Sequence, residues 1–328
     1  EWRMYALLTF TIMGSVYFFI KRSWTPYIIF TTAALYTHHF ALFTLFSQGV
    51  WFLIADFNWK NPKTYLSQLK PFLMIGLLYL PWLYPMYRQT RMVQGGGFWL
   101  KAPTFEELGR LLYRFFTGGV EKKFSLPVAM IVVFLLIFKD WKKVGKGFCE
   151  LLFIFLGPVF LSFAVSYLVT PIFYDRYLLA TTMGIAVLIG LGVKKHFRIL
   201  LLPLVILYGV ISFNQFTHSQ KPPFRDLAKA VKVQMSSEDA LINYNGKAHH
   251  LWESKYYGIP APIYNPGGPL PFYVGTAQMT KEDTIEVLPE VKRIGVISDF
   301  GEEINLPNYH KISSEKFGSL EFSWWEKS

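Results

Sequence analysis

The sequence predicts an α-helical polytopic membrane protein, with about eight membrane helices here and a C-terminal extracytoplasmic α/β domain. Three observations predict this class. Hydrophobic residues make up 52% of the 328 residues and charged residues only 17%, too few charges to cover a soluble protein of this length. Long apolar runs alternate with short basic segments over residues 1–217. Residues 218–328 have the composition of a soluble domain, so we predict a domain boundary between the two parts.

Seven apolar runs account for the predicted membrane helices. They are Met4–Ile20, Tyr27–Phe57, Pro71–Tyr87, Phe124–Phe138, Phe148–Val169, Tyr177–Val193 and Ile199–Phe216. As a single helix, Tyr27–Phe57 would be about 46 Å long, which exceeds a hydrocarbon core of about 30 Å. His38 and His39 lie near its middle, where contact with lipid is unfavourable. We therefore predict a break at the two histidines, which divides this run into two helices and brings the total to eight.

Basic residues between the apolar runs predict the orientation of the chain. They include Lys21 and Arg22, the lysines at 60, 63 and 70, those at 139, 142, 143 and 146, and Lys194, Lys195 and Arg198. The positive-inside rule places these segments in the cytoplasm. Residues 1–3, the 88–123 loop, the 171–176 turn and everything after Thr217 then lie outside. This distribution also accounts for the formal net charge of +11 without a nucleic-acid partner, and makes the lipid bilayer the predicted partner.

Within the outer loop, Thr104–Phe116 has the pattern of an amphipathic helix. Thr104 and Glu107 stand at the spacing of a capping box, and apolar residues recur at helical spacing after them. This predicts an interfacial helix that lies along the membrane surface. In the C-terminal domain, Phe224–Met235 has helical spacing, whereas Ala240–Tyr244 and Arg293–Ser298 resemble buried strands.

No motif of a soluble enzyme is present, and the single cysteine, Cys149, allows neither an intramolecular disulfide nor a cysteine cluster for zinc. No metal site is predicted. Polar side chains instead gather where three predicted helices reach the outer face, namely Glu1, Arg3 and Tyr5; His38 and His39; and Asp175, Arg176 and Tyr177. Each group alone is typical of interfacial anchoring, or of side chains that satisfy backbone groups at a helix break. Three such groups on one face favour a shared site.

Five segments in the same order resemble bacterial membrane glycosyltransferases of the GT-C class, related to glycosyltransferase family 39 and the protein O-mannosyltransferases. The segments are Glu1–Thr9 (EWRMYALLT), Ala34–Phe43 (ALYTHHFALF), Asp175–Leu179 (DRYLL, with Ala180 where proline is usual), Phe224–Ala228 (FRDLA) and Glu238–Ile242 (EDALI). The resemblance extends over nearly the whole chain. It implies that residues 1–217 are part of a GT-C domain whose first helices precede residue 1.

The family resemblance implies transfer of a sugar from a polyprenyl-phosphate donor to the hydroxyl of a lipid, glycan or protein acceptor. Such chemistry needs a carboxylate base and cations for the leaving phosphate. The family's base is an aspartate on a loop that would precede residue 1, so no catalytic residue is assigned. We expect Arg176, Tyr177 and Arg3 to bind the donor phosphate. Sugar or acceptor would contact Glu1, Tyr5, His38, His39 and Asp175. No organic cofactor is expected, and dependence on a divalent metal stays open.

Two alternatives belong to other functional classes. A transporter or flippase of lipid-linked sugars would place ionisable groups near the middle of broken membrane helices, whereas here they gather at one face. A non-catalytic envelope scaffold would use the C-terminal domain to bind a partner. Sequence upstream of residue 1 would discriminate, because an acidic pair in the first outer loop favours the enzyme.

Overall fold

The computed structural model describes residues 4–96, 100–117, 145–193, 222–244, 248–268 and 279–328, with isolated residues between 202 and 217 and at 270 and 274. The chain divides into two compact units. The first comprises Glu1–Gln94 and Phe98–Ser212, and the second comprises Phe213–Ser328 with Gly95–Gly97. We describe each unit by itself.

The described part of the first unit is helical. Its helices are α1 (Tyr5–Ile20), α2 (Trp24–Thr37), α3 (Ala41–Ala55), α4 (Tyr65–Gly96), α5 (Phe105–Thr117), α6 (Lys146–Leu168) and α7 (Leu179–Val193). The predicted break is confirmed, because α2 ends at Thr37, His38 has an extended backbone and α3 begins at Ala41.

Helices α1 to α3 share a core with α4 and α6. Leu8, Ile12, Val16 and Phe19 recur at helical spacing along α1, and all four side chains are buried in this core. Gly14 allows α2 to approach closely, since a Cβ at that position would lie 2.2 Å from Phe30. The apolar stripe of α1 is thus covered by protein.

A buried polar network joins the first three helices. The Tyr27 hydroxyl donates to Oε1 of Gln48 at 3.1 Å, and Nε2 of Gln48 donates to Ser15 Oγ at 3.0 Å. Ser15 Oγ lies 2.7 Å from the hydroxyl of Thr31. All four side chains are buried, so each depends on the others for its hydrogen bonds.

The predicted count of eight membrane helices is wrong. Among the described residues, only Pro62–Met92 and Lys146–Leu168 form helices long and apolar enough to cross a membrane. Helices α1 and α3 are apolar but have 16 and 15 residues, about 22–24 Å at 1.5 Å per residue. An apolar run indicates burial without saying whether lipid or other helices bury it, and much of the apolar surface of α1 packs against neighbouring helices. The predicted run Phe124–Phe138 and much of Ile199–Phe216 lie outside the described residues.

Helix α5 begins as predicted but makes different contacts. The Thr104 N–H donates to Glu107 Oε2 at 2.7 Å and the Glu107 N–H to Thr104 Oγ1 at 3.2 Å, which confirms the capping box. Its apolar residues Leu111 and Phe115 are buried against α3, α6 and α7. Most of the apolar face predicted to rest on the membrane surface therefore packs on the protein.

Where α1 and α3 end and α6 begins, charged side chains link these three helices. Arg22 follows α1 with a left-handed backbone (φ 53°), and its guanidinium contacts the carboxylates of Asp56 and Glu150. Lys146, at the start of α6, pairs with the same Asp56. Two of the basic residues used to predict orientation therefore also close this end of the helical unit.

The second unit is an α/β domain with a six-stranded mixed sheet. Its strands are β1 (Ala240–Asn243), β2 (Ile263–Tyr264), β3 (Thr284–Ile285), β4 (Arg293–Asp299), β5 (Tyr309–Phe317) and β6 (Leu320–Lys327), and its helices are α8 (Phe224–Gln234) and α9 (Ala248–Tyr256). The strand order is β3-β2-β1-β4-β6-β5, parallel from β3 to β4 and antiparallel beyond. The predicted helix and both predicted strands are present, whereas the β5–β6 hairpin was not predicted.

An ion pair ties the start of β4 to the segment before β1. Arg293 Nε donates to Asp239 Oδ1 at 2.9 Å, and the Arg293 guanidinium lies 4.1 Å from the centre of the Trp324 ring. The hydrogen bond from Arg293 lowers the pKa of Asp239 to about 2. The carboxylate therefore remains charged throughout the physiological range.

Candidate functional site

The structure brings together residues from the three sequence segments that were predicted to share a face. Tyr5 stands at the start of α1, His38 at the α2–α3 break, and Tyr177 in the short 3₁₀ turn Asp175–Leu178 that leads into α7. Phe40 and Tyr174 complete the group. We call these five residues the aromatic cluster.

Ring contacts define the geometry of the aromatic cluster. The ring centre of Tyr177 lies 5.0 Å from that of His38, 4.8 Å from Phe40 and 6.3 Å from Tyr5. The rings of Tyr5 and His38 are 6.1 Å apart, and Tyr174 lies 5.4 Å from Tyr177. Such tilted contacts at 4.5–7 Å are the favourable arrangement of aromatic pairs. Tyr5 and Tyr177, 172 positions apart in the chain, are thus neighbours.

His38 is held as a neutral hydrogen-bond donor. Its Nδ1 accepts the backbone N–H of Phe40 at 3.2 Å, so the proton of the neutral imidazole is on Nε2. Burial, with a smaller contribution from His39, lowers the pKa of His38 to about 4. At neutral pH this imidazole is neutral, and its Nε2–H can donate to a sugar or phosphate oxygen.

His39 is engaged differently. Its Nε2 lies 2.8 Å from Oε1 of Gln89 and its Nδ1 3.3 Å from the hydroxyl of Tyr79, both on α4. Because the Gln89 oxygen only accepts, Nε2 carries the proton and Nδ1 accepts from Tyr79. Both ring nitrogens are therefore used to attach the helix break to α4.

The turn that follows α6 presents a cation beside the aromatic cluster. Asp175 Oδ1 accepts the backbone N–H of Arg176 at 2.7 Å. The Arg176 side chain is exposed to solvent. Its guanidinium carbon lies 5.8 Å from the centre of the Tyr174 ring. Burial raises the pKa of Tyr177, so its hydroxyl stays protonated at neutral pH. The turn therefore offers one positive charge and one hydroxyl donor.

A second arginine near this turn was not among the predicted site residues. Arg114 on α5 places Nη1 3.4 Å from Asp175 Oδ2. The sequence shows Arg114 on the polar face of an amphipathic helix, but no local signal indicates that this face meets residue 175. Tyr79 and Gln89 were missed for the same reason.

Two predicted site residues, Glu1 and Arg3, lie outside the described residues. Over the part of the chain that the structure describes, no group of three or more His, Cys, Asp or Glu side chains is placed to hold a metal ion.

An apolar groove of about 530 Å³ runs between α3 and α6. It is lined by Phe46, Ser47, Val50 and Trp51 of α3 and by Cys149, Leu152, Phe153, Leu156, Gly157, Phe160 and Leu161 of α6. Ser47 and Gly157 mark a close approach of the two helices, since a Cβ on Gly157 would lie 2.2 Å from Ser47 Oγ. Phe46 lies six residues after Phe40, about 9 Å along the helix axis, and the groove is lined by none of the five residues of the aromatic cluster.

The protonation state of His38 can be tested directly. Its folded pKa of about 4 is below the ordinary value of 6.5, so the unfolded chain binds the proton more tightly. The contribution of His38 to stability is therefore complete above pH 6.5 and is lost as the pH falls through the window from 6.5 to 4. An NMR titration of histidine-labelled protein, assigned with His38→Gln, should show this midpoint near 4. A midpoint near 6.5 would contradict the buried, neutral imidazole.

Comparison of the chain with known protein families, with curated proteins and with solved structures finds no match.

Proposed function

We propose that this chain is a membrane glycosyltransferase that moves a sugar from a polyprenyl-phosphate donor to an acceptor hydroxyl. The observation that carries the proposal is the meeting of Tyr5, His38 and Tyr177 beside the exposed Arg176, at one end of a helical unit. The resemblance of the corresponding sequence segments to GT-C enzymes supports the same function. Hydroxyl and imidazole donors suit sugar oxygens, whereas a guanidinium suits a phosphate.

The apolar groove supports a lipid-linked donor. It runs along α3 and α6 from Phe46, which is about 9 Å along the helix axis from Phe40, and almost no polar atom lies on its walls. A donor with its phosphate at Arg176 could place part of its polyprenyl chain there. A nucleotide sugar has no apolar part that would use this groove.

Two further features support a membrane location. Helix α4 exposes Leu73, Leu77 and Leu80, and such an apolar surface on a long helix favours contact with lipid. Both candidate spans begin with lysines and end on the side of the aromatic cluster, as with Lys63 before α4 and Lys146 in α6. By the positive-inside rule, we place the cluster at the extracytoplasmic face of the cell membrane.

In the proposed reaction, the acceptor oxygen forms a bond to the anomeric carbon while the bond from that carbon to the phosphate oxygen breaks. The electron pair leaves with polyprenyl phosphate, whose second negative charge Arg176 would stabilise. The acceptor proton passes to a carboxylate base, as the family resemblance implies. Tyr5 and Nε2 of His38 would orient the sugar, and the Tyr177 hydroxyl would donate to the phosphate.

The experiment is an assay of the purified full-length protein in lipid nanodiscs with a radiolabelled polyprenyl-phosphate sugar and membrane extract as the acceptor source. We expect release of polyprenyl phosphate together with labelled acceptor, and no reaction from a nucleotide sugar. In proteoliposomes, movement of the intact donor across the bilayer without cleavage would instead indicate a flippase. Absence of both reactions would overturn the proposal and leave the scaffold alternative.

A further inference from the structure

Asp175 links Arg114 on α5 to the 3₁₀ turn that carries Arg176. Oδ2 of Asp175 faces Arg114 Nη1 at 3.4 Å, while Oδ1 accepts the backbone N–H of Arg176. The side chain of Arg114 is 55% exposed and that of Asp175 37%, so both are accessible to solvent. Two cations and one carboxylate are thus carried by α5 and by the turn that contains Tyr177.

The backbone of helix α5 is anchored at the residues around Arg114, whereas the Arg114 side chain itself is exposed. The capping box fixes the first turn, and Leu111 and Phe115 are buried in a cluster with Phe40 and Leu178. Tyr177 packs against the same cluster. The backbone of α5 is therefore anchored beside the aromatic cluster, and the long arginine side chain extends from it toward the 3₁₀ turn.

The contact between Arg114 and Asp175 is a weak one. It is a single long contact between two exposed side chains, and pairs of this kind contribute little to stability. A phosphate offers several oxygens to a guanidinium and gains negative charge as the donor bond breaks. A bound phosphate can therefore replace Asp175 as the partner of the Arg114 guanidinium.

We propose that Arg114 is a second phosphate-binding residue, which releases Asp175 and binds the phosphate of the polyprenyl-phosphate donor together with Arg176. This inference rests on the proposed function and names a residue that the sequence did not assign to the site. Because the charge on the phosphate increases during transfer, Arg114 should act more strongly on kcat than on the KM for the donor.

Arg110 provides a matched control. It lies one turn earlier on α5, its side chain is 57% exposed, and it pairs with Glu106 of its own helix at 2.5 Å. Arg114→Gln and Arg110→Gln remove the same charge from the same helix at similar exposure. Only the first removes a cation that faces Asp175.

The test compares kcat, the donor KM and inhibition by the product polyprenyl phosphate for the two variants and the unaltered chain, with melting temperatures as a check of folding. Arg114→Gln should lower kcat about tenfold or more and weaken product inhibition, whereas Arg110→Gln should stay within about twofold. Arg114→Lys should recover part of the loss, because it restores a charge without the planar fork.

If the enzyme is active and the two glutamine variants have equal effects, the assignment of Arg114 to the phosphate is overturned, while the proposed function stands. No turnover by the unaltered full-length protein would overturn the proposed function, and the role of Arg114 with it.

Discussion

Replacement of Arg176 by alanine is expected to lower the rate of sugar transfer by about 10²-fold or more, which is comparable with the loss of one donor that stabilises a developing negative charge. The Arg176 side chain is exposed beside the aromatic cluster and makes little contribution to the buried core. The protein should therefore fold and insert normally while the leaving phosphate loses its main cation. The measurement is initial rate of release of polyprenyl phosphate, normalised to folded protein.

Arg176→Lys is the matched variant for this prediction. Lysine restores the charge but not the bidentate geometry, so an intermediate rate is expected. Arg88, another exposed arginine of the same unit, gives a control in Arg88→Ala, for which we expect a change within about twofold. Near-normal activity of Arg176→Ala would place the phosphate elsewhere and leave Arg176 as an interfacial anchor.

Replacement of Gln48 by alanine is expected to destabilise the helical unit by about 3 kcal/mol or more. The change removes the acceptor of the Tyr27 hydroxyl and the donor to Ser15, and leaves both hydroxyls buried beside a new cavity. The measurement is the free energy of unfolding, or the melting temperature in one fixed detergent.

The same substitution at Gln68 provides the comparison. Gln68 also makes two hydrogen bonds: its Oε1 accepts the Asn58 N–H in an exposed contact, and its Nε2 donates to Thr64 Oγ1 in a contact that is only partly buried. Water can replace these bonds, so Gln68→Ala should cost less than about 1 kcal/mol. Equal losses from the two variants would show that the network of Gln48 contributes no more than a surface contact.

Local sequence signals predicted several features of the structure correctly. The capping box at Thr104 and Glu107 involves atoms three residues apart, so its hydrogen bonds can be inferred from the spacing. The break at His38 followed from the length of one apolar run. In the second unit, the strands β1 and β4 appeared as short apolar segments after polar residues.

The number of membrane helices could not be inferred in the same way. Apolar composition gives the same signal for a helix that faces lipid and for one that packs against other helices. In α1, the buried residues Leu8, Ile12 and Val16 face neighbouring helices of the unit. Ser15 and Gln48, 33 residues apart, are hydrogen-bonded to each other, so polar residues inside apolar runs found partners that no local pattern predicts.

The sequence by itself determined where most helices begin and end, where the long apolar run breaks, and which three segments carry polar residues of a candidate site. These features depend on backbone preferences and hydrogen bonds within a few residues. Only the tertiary structure decided that α1 packs in a protein core and that Arg114 contacts Asp175, 61 residues further along the chain. It also decided that both ring nitrogens of His39 bind α4 and that Nε2 of His38 carries the proton. Each of these depends on which distant groups come within about 3 Å, and packing of the whole unit sets that distance.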